Sequence, residues 1–126
     1  MVIDFIVLGV AAHWGVRKGY EDMLQLSRDL GPHFAVVLVG LEKSQIKVPP
    51  KNTSALLVGI GKTSSREEMA GIYTAANVLM NPTKEDNYPT VNLEAEACGT
   101  PVITYDVGGC AETINLNESR VVKGYA

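Results

Sequence analysis

The feature that most constrains the fold is an alternation: short apolar runs recur along the chain, most of them separated by segments long enough to form a helix. The runs at residues 2–8, 34–39, 54–58, 77–80 and 102–105 are close to continuously apolar, as expected of strands buried on both faces. Between them, residues 19–30 carry Tyr20, Met23, Leu24 and Leu26, and residues 66–75 carry Met69, Ile72 and Tyr73, at helical spacing. Gly31-Pro32 ends the first helix. Parallel neighbours need crossover connections where antiparallel ones need only tight turns, so the spacing predicts an α/β fold: a doubly wound, mainly parallel sheet with helices on both faces. Residues 41–52, polar and containing Pro49-Pro50, read as a surface loop; a further helix is expected to begin at Ala111, and a last strand near residues 120–122. At 126 residues, 46% of them apolar and with no internal repeat, the chain is one domain with a core of its own.

Sheets of this kind bind ligands beyond the C-terminal ends of their strands. That rule selects residues 9–19, 81–89 and 106–109, and two of these loops lie in one stretch, NPTKEDNYPTVNLEAEACGTPVITYDVGG from Asn81 to Gly109. A short helix begins there near Pro89 and is ended by Gly99, with Val91, Ala95 and Cys98 facing the sheet and Thr90, Glu94 and Ala97 on another side. Unpaired N–H groups at the helix start stabilise an anion such as a phosphate. Glu94, one turn deeper, offers acceptor oxygens to the paired hydroxyls of a ribose or sugar, and Asp86 adds a second carboxylate. From the residues alone two readings stand, a site for a sugar joined to a phosphate, or a solvated helix Glu beside a turn Asp. The first loop, GVAAHWGVRKG, holds His13, Trp14, Arg17 and Lys18. Its basic pair either neutralises a diphosphate or is solvated, and Trp14 either flanks a base or covers the helix.

Other classes are disfavoured. A net charge of −3 and a pI near 5.3 supply no broad basic surface for nucleic acid. Cys98 and Cys110 lack metal-ligand spacing, so reduced thiols and a cytoplasmic setting are expected. No apolar run reaches the ~20 residues of a membrane-spanning helix, and the apolar start lacks the basic flank and cleavage site of a signal peptide. Gly61-Lys62-Thr63 is not a phosphate-binding P-loop, because Leu56 stands where that motif needs glycine. Gly9 and Gly15 make no dinucleotide fingerprint, no Asp-x-Asp occurs, and the two histidines are far apart, so neither a dinucleotide cofactor nor a metal is expected.

The run from Asp86 to Gly109 closely resembles the signature of the family 4 retaining glycosyltransferases, whose fold is called GT-B. That signature is an acidic residue, seven intervening residues, a Glu, the run A-x-A-C-G-T-P-V and then Gly-Gly; the matches here are Asp86, Glu94, AEACGTPV and Gly108-Gly109. The family usually has Glu first; Asp86 keeps the spacing and Glu85 lies one residue too far away. In the first loop the family carries an Arg, four residues, a Lys and a Gly. Lys18-Gly19 match the second half, His13 stands in place of the Arg, and Arg17 is a candidate for the missing charge.

The resemblance covers nearly the whole chain and implies a Rossmann-like C-terminal half that binds the nucleotide sugar donor, the N-terminal acceptor domain being missing. It implies transfer of the sugar with retained configuration, without metal or cofactor. Lys18 and Asp86 would be catalytic. The diphosphate would meet Lys18, His13 or Arg17, and the N–H groups at Thr90 and Val91; Glu94 would hold the ribose; and Asp86 with the backbone of Asn87 and Tyr88 would hold the sugar. Peripheral membrane contact would come only through a full-length protein. The PTVNLEA variant resembles bacterial surface-polysaccharide enzymes. A non-catalytic nucleotide-sugar binding module, a GT-B-fold sugar-nucleotide epimerase and a purely structural domain are the alternatives.

Overall fold

The computed structural model describes residues 3–47, 54–85 and 89–123. Six strands, β1 (Phe5–Val10), β2 (Phe34–Val39), β3 (Leu56–Ile60), β4 (Val78–Asn81), β5 (Val102–Tyr105) and β6 (Arg120–Val122), form one sheet in the order β3-β2-β1-β4-β5-β6. Every neighbouring pair is parallel, with Val7 level with Val36 on one side and Val78 on the other. The helices are α1 (Tyr20–Asp29), α2 (Lys43–Lys47), α3 (Arg66–Ala75) and α4 (Thr90–Ala97), with single 3-10 turns at Val16–Lys18 and Ala111–Thr113. The chain builds outward from β1 to β3, returns to place β4 against β1, and builds outward again. The switch point therefore lies between the C-terminal ends of β1 and β4, where such sheets open a crevice.

Alternation along each strand divides the core between the two faces. Val7, Val36, Leu38 and Val78 share one cluster with Met23 and Leu24 of α1, and Leu8, Val39, Leu79 and Val102 share the other with Tyr73 of α3 and Ala95 of α4. Leu8, Leu79 and Val102 are fully buried, each contributing about 1.5–3 kcal/mol. The expected inward faces of both long helices hold: Tyr20 and Leu26 pack at the margin of the first cluster, Met69 and Ile72 at that of the second.

The differences from expectation have local causes. Strand β1 ends at Val10 and β3 at Ile60, two residues beyond the predicted ends at 8 and 58, because Gly9 and Gly59 lie inside strands. A Cβ on Gly9 would meet the rigid Trp14 ring at 2.9 Å, so that position requires glycine for close packing, whereas one on Gly59 would meet the flexible end of the Leu41 side chain at 2.7 Å. The predicted loop 41–52 contains α2. Its start is closed by the Glu42 N–H donating to Gln45 Oε1 at 2.9 Å while the Gln45 N–H donates to the Glu42 carbonyl at 3.0 Å, a reciprocal capping arrangement. Pro49-Pro50 lies outside the described residues. The helix expected from Ala111 is one 3-10 turn, since the next N–H groups, of Asn115 and Leu116, donate to the Glu96 carboxylate at 2.8 and 3.1 Å instead of continuing a helix.

Candidate functional site

Helix α4 is fixed by buried polar contacts as much as by apolar ones. Asn81, the last residue of β4, donates its side-chain amide to Asn92 Oδ1 at 2.9 Å, and Asn92 donates to Thr113 Oγ1 at 3.1 Å. The Thr113 hydroxyl donates in turn to the Cys110 carbonyl at 2.6 Å. All four residues are buried, so the chain of bonds ties β4, α4 and the 3-10 turn in one geometry. Ala95 faces the sheet, Gly99 takes the left-handed conformation (φ 81°) beyond the helix end, and Thr90, Glu94 and Ala97 are exposed, as the 3.6-residue spacing predicts. Pro89 caps the start, with no side-chain hydrogen bond to the first N–H groups of α4.

Glu94 stands in the wall of an open groove of about 690 Å³ lined by Thr63, Ser64, Arg66, Met69, Tyr73 and Cys98 among others. A second hollow of about 300 Å³ shares Thr63, Met69, Tyr73 and Glu94, and continues past Lys62, Gly40 and Ala12 across the C-terminal ends of β1 and β2. Together they have the size of a nucleotide-binding cleft. The Glu94 carboxylate is held from behind: the Tyr73 hydroxyl donates to Glu94 Oε1 at 3.1 Å. Burial first, and then the Glu94 carboxylate, raise the Tyr73 hydroxyl well above the usual tyrosine range, so it remains a donor.

The first loop is stitched to the loop after β4. The Lys84 N–H donates to the Arg17 carbonyl at 2.7 Å, the Thr83 hydroxyl to the same carbonyl at 3.3 Å, and Gly19, at φ 80°, leaves no room for a Cβ against the Pro82 carbonyl. Lys18, half-buried at the end of its 3-10 turn, thus sits beside the loop after β4, and it is not among the residues lining the two hollows that contain Glu94. Arg17 pairs with Glu85 at 3.8 Å, with both side chains more than two-thirds exposed, a contact worth little. His13 lines a further hollow of about 370 Å³ with Lys43 and Lys62, which adjoins the groove through Ala12, Gly40 and Lys62. Trp14 is buried and donates its indole N–H to the Val39 carbonyl at 2.8 Å, so it belongs to the core. Asp86, Asn87 and Tyr88 lie outside the described residues. Among the described residues no cluster of His, Cys, Asp and Glu is placed to hold a metal, and no helix is long and apolar enough to cross a membrane.

Two parts of the site were missed in the sequence. From the sequence, Gly61-Lys62-Thr63 is weighed only as a P-loop and Ser64 and Ser65 stay unassigned, yet residues 61–65 follow a parallel strand and reach the same edge of the sheet, which is signal enough to include them. Helical spacing assigns Tyr73 to the core. It is there, but its hydroxyl emerges at Glu94, a contact between residues 21 apart that helical periodicity does not show.

Comparison with known proteins agrees with this geometry. The family model for Glycosyl transferases group 1 matches residues 4–125. The D-inositol 3-phosphate glycosyltransferase 1 of Catenulispora acidiphila is 30% identical over 115 residues, 85% of this chain and 28% of the relative; that of Corynebacterium jeikeium is 44% identical over 56 residues, 44% of this chain and 13% of the relative. The chain thus spans about a quarter or less of the curated relatives it matches. Among solved structures, Anabaena Alr3699/HepE in complex with UDP-glucose superposes with a TM-score of 0.68 at 17% identity, covering 95% of this chain and 35% of that one. The C-terminal domain of a glycosyl transferase group 1 family protein from Francisella tularensis gives 0.69 at 16% identity, covering 99% and 71%. The all-parallel sheet and a family model running from residue 4 to residue 125 lead to one assignment: the chain belongs to the group 1 glycosyl transferases, of GT-B type.

Proposed function

We propose that this domain is the donor-binding half of a retaining glycosyltransferase, which takes a sugar from a nucleoside diphosphate and passes it to an acceptor hydroxyl held by another domain. The observation that carries the reading is the position of Glu94, one turn inside the open start of α4, in the wall of the groove, with its carboxylate supported by Tyr73. Glu94 accepts the ribose hydroxyls. As the sugar–phosphate bond breaks, negative charge gathers on the leaving diphosphate, and Lys18 with the N–H groups of Thr90 and Val91 stabilises it; these groups do so without a metal. Asp86, with the backbone of Asn87 and Tyr88, holds the sugar. The similarity to relatives named inositol phosphate glycosyltransferases supports a sugar-transfer role, and an inositol phosphate and a surface-polysaccharide precursor are the two acceptor classes to assay first.

The test separates the groups by what each touches. Asp86→Ala weakens binding of the nucleotide sugar and leaves the nucleoside diphosphate nearly unchanged. Lys18→Ala weakens both, and less so at high salt because it faces phosphate. Chelator leaves binding unaltered. Equal losses for both ligands at Asp86, or binding that vanishes with chelator, would return these residues to an ordinary solvated surface. A second reading, a module that binds nucleotide sugar without transferring it, is favoured by His13 standing where the resembling family has Arg. A protein containing both domains that binds donor yet moves no sugar to either acceptor class would establish it.

A further inference from the structure

Glu94 is exposed, and an exposed Glu normally samples many rotamers, so a free carboxylate is a poor reader of ligand hydroxyls. Here it is not left to itself. Tyr73 is 2% exposed, its ring sits in the core with Leu8, Val39, Leu79, Ala95 and Val102, and its carbonyl accepts the buried Thr100 hydroxyl. The ring has nowhere to move, and its hydroxyl reaches Glu94 Oε1. One of that oxygen's two lone pairs is thereby occupied; the other, with both on Oε2, remains for the groove.

Resting on the donor-site reading above, we infer that Tyr73 is a positioning residue that fixes the Glu94 carboxylate, and that the pair makes the groove selective for ribonucleoside over 2′-deoxyribonucleoside diphosphate donors. The two O–H donors of a ribose match the fixed acceptors. A deoxyribose supplies one hydroxyl and leaves an acceptor desolvated with nothing to receive. Sites that hydrogen-bond a ligand hydroxyl discriminate against ligands lacking it through that unmet acceptor. The groove is open, so water makes up part of the loss, and the expected preference is near the lower end of what such sites achieve.

The experiment titrates the chain calorimetrically with UDP, GDP and ADP and with the 2′-deoxy form of each. For whichever base binds, the wild type prefers the ribonucleotide by about tenfold. Tyr73→Phe keeps the packing and removes the hydroxyl; it lowers the ribonucleotide affinity severalfold, leaves the deoxynucleotide within about twofold, and so narrows the ratio. Glu94→Gln, which leaves the core untouched, also narrows it and serves if the Phe variant is too unstable to titrate. Equal affinity of the wild type for both forms overturns the selectivity, and an equal loss for both in Tyr73→Phe reduces Tyr73 to a packing residue. If none of the six ligands binds the wild type, the donor-site reading itself fails and this inference falls with it.

Discussion

Asn92 gives the sharpest prediction about how the site is held together. It is fully buried, accepts from Asn81 at 2.9 Å and donates to Thr113 at 3.1 Å. Asn92→Ala orphans the buried Asn81 amide, at about 2 kcal/mol. The space left by the amide adds about 1 kcal/mol. Thr113 suffers less, since its hydroxyl keeps the Cys110 carbonyl as acceptor. The expected loss is about 3 kcal/mol, a large share of the ~5–15 kcal/mol that holds a domain folded. In urea the midpoint falls by about 1–3 M with little change in slope. Asn92→Asp is the stricter test. Its new oxygen faces Thr113 Oγ1, whose proton is already donated, so two acceptors oppose each other and a charge is buried. It therefore costs more than Ala at neutral pH and recovers part of the loss in acid, where the carboxyl is protonated and can donate. A loss below about 1 kcal/mol for Asn92→Ala, or an Asp variant as stable as wild type at pH 7, would show that the network does not hold α4.

Two further outcomes follow from other contacts. Glu96 accepts from the N–H groups of Asn115 and Leu116 and from the Ser119 hydroxyl at 2.7 Å, so Glu96→Ala costs about 2 kcal/mol and speeds hydrogen exchange at residues 115 and 116; unchanged exchange there would refute the role. Burial, followed by the Glu94 carboxylate, raises the Tyr73 hydroxyl above its ordinary value of 10.0, so the unfolded chain ionises first. Stability is complete below pH 10 and is lost as pH rises beyond it. Tyr73→Phe removes about 1.4 kcal/mol per pH unit of that slope, and an alkaline profile identical to wild type would contradict the assignment.

The order of strands and helices was legible because buried parallel strands need continuous apolar runs and helices need a different period. Residues 34–39, 66–75 and 102–105 have the predicted ends. The strand ends failed at Gly9 and Gly59, where glycine answers to the side chains packed against it rather than to a turn. The exposed position of Glu94 on α4 was legible from helical spacing, whereas its hydrogen bond from Tyr73 was not. Tyr73 was concealed by being a good core residue. The groove wall at residues 61–65 was concealed by a resemblance to the wrong motif. For Tyr73 the information lies in the tertiary packing of helix α3 against α4, which no local spacing encodes; residues 61–65 follow a parallel strand, and the strand-end rule reaches them.

If the groove beside Glu94 holds the ribose of a nucleoside diphosphate, the affinity for such a nucleotide depends on the Glu94 carboxylate. Titration calorimetry of wild type and Glu94→Ala with UDP, GDP and ADP tests it most directly. At least one of the three binds the wild type, and the variant loses about tenfold or more, the value of a charge-assisted hydrogen bond, with the fold unchanged. A nucleotide that binds both proteins equally would contradict it.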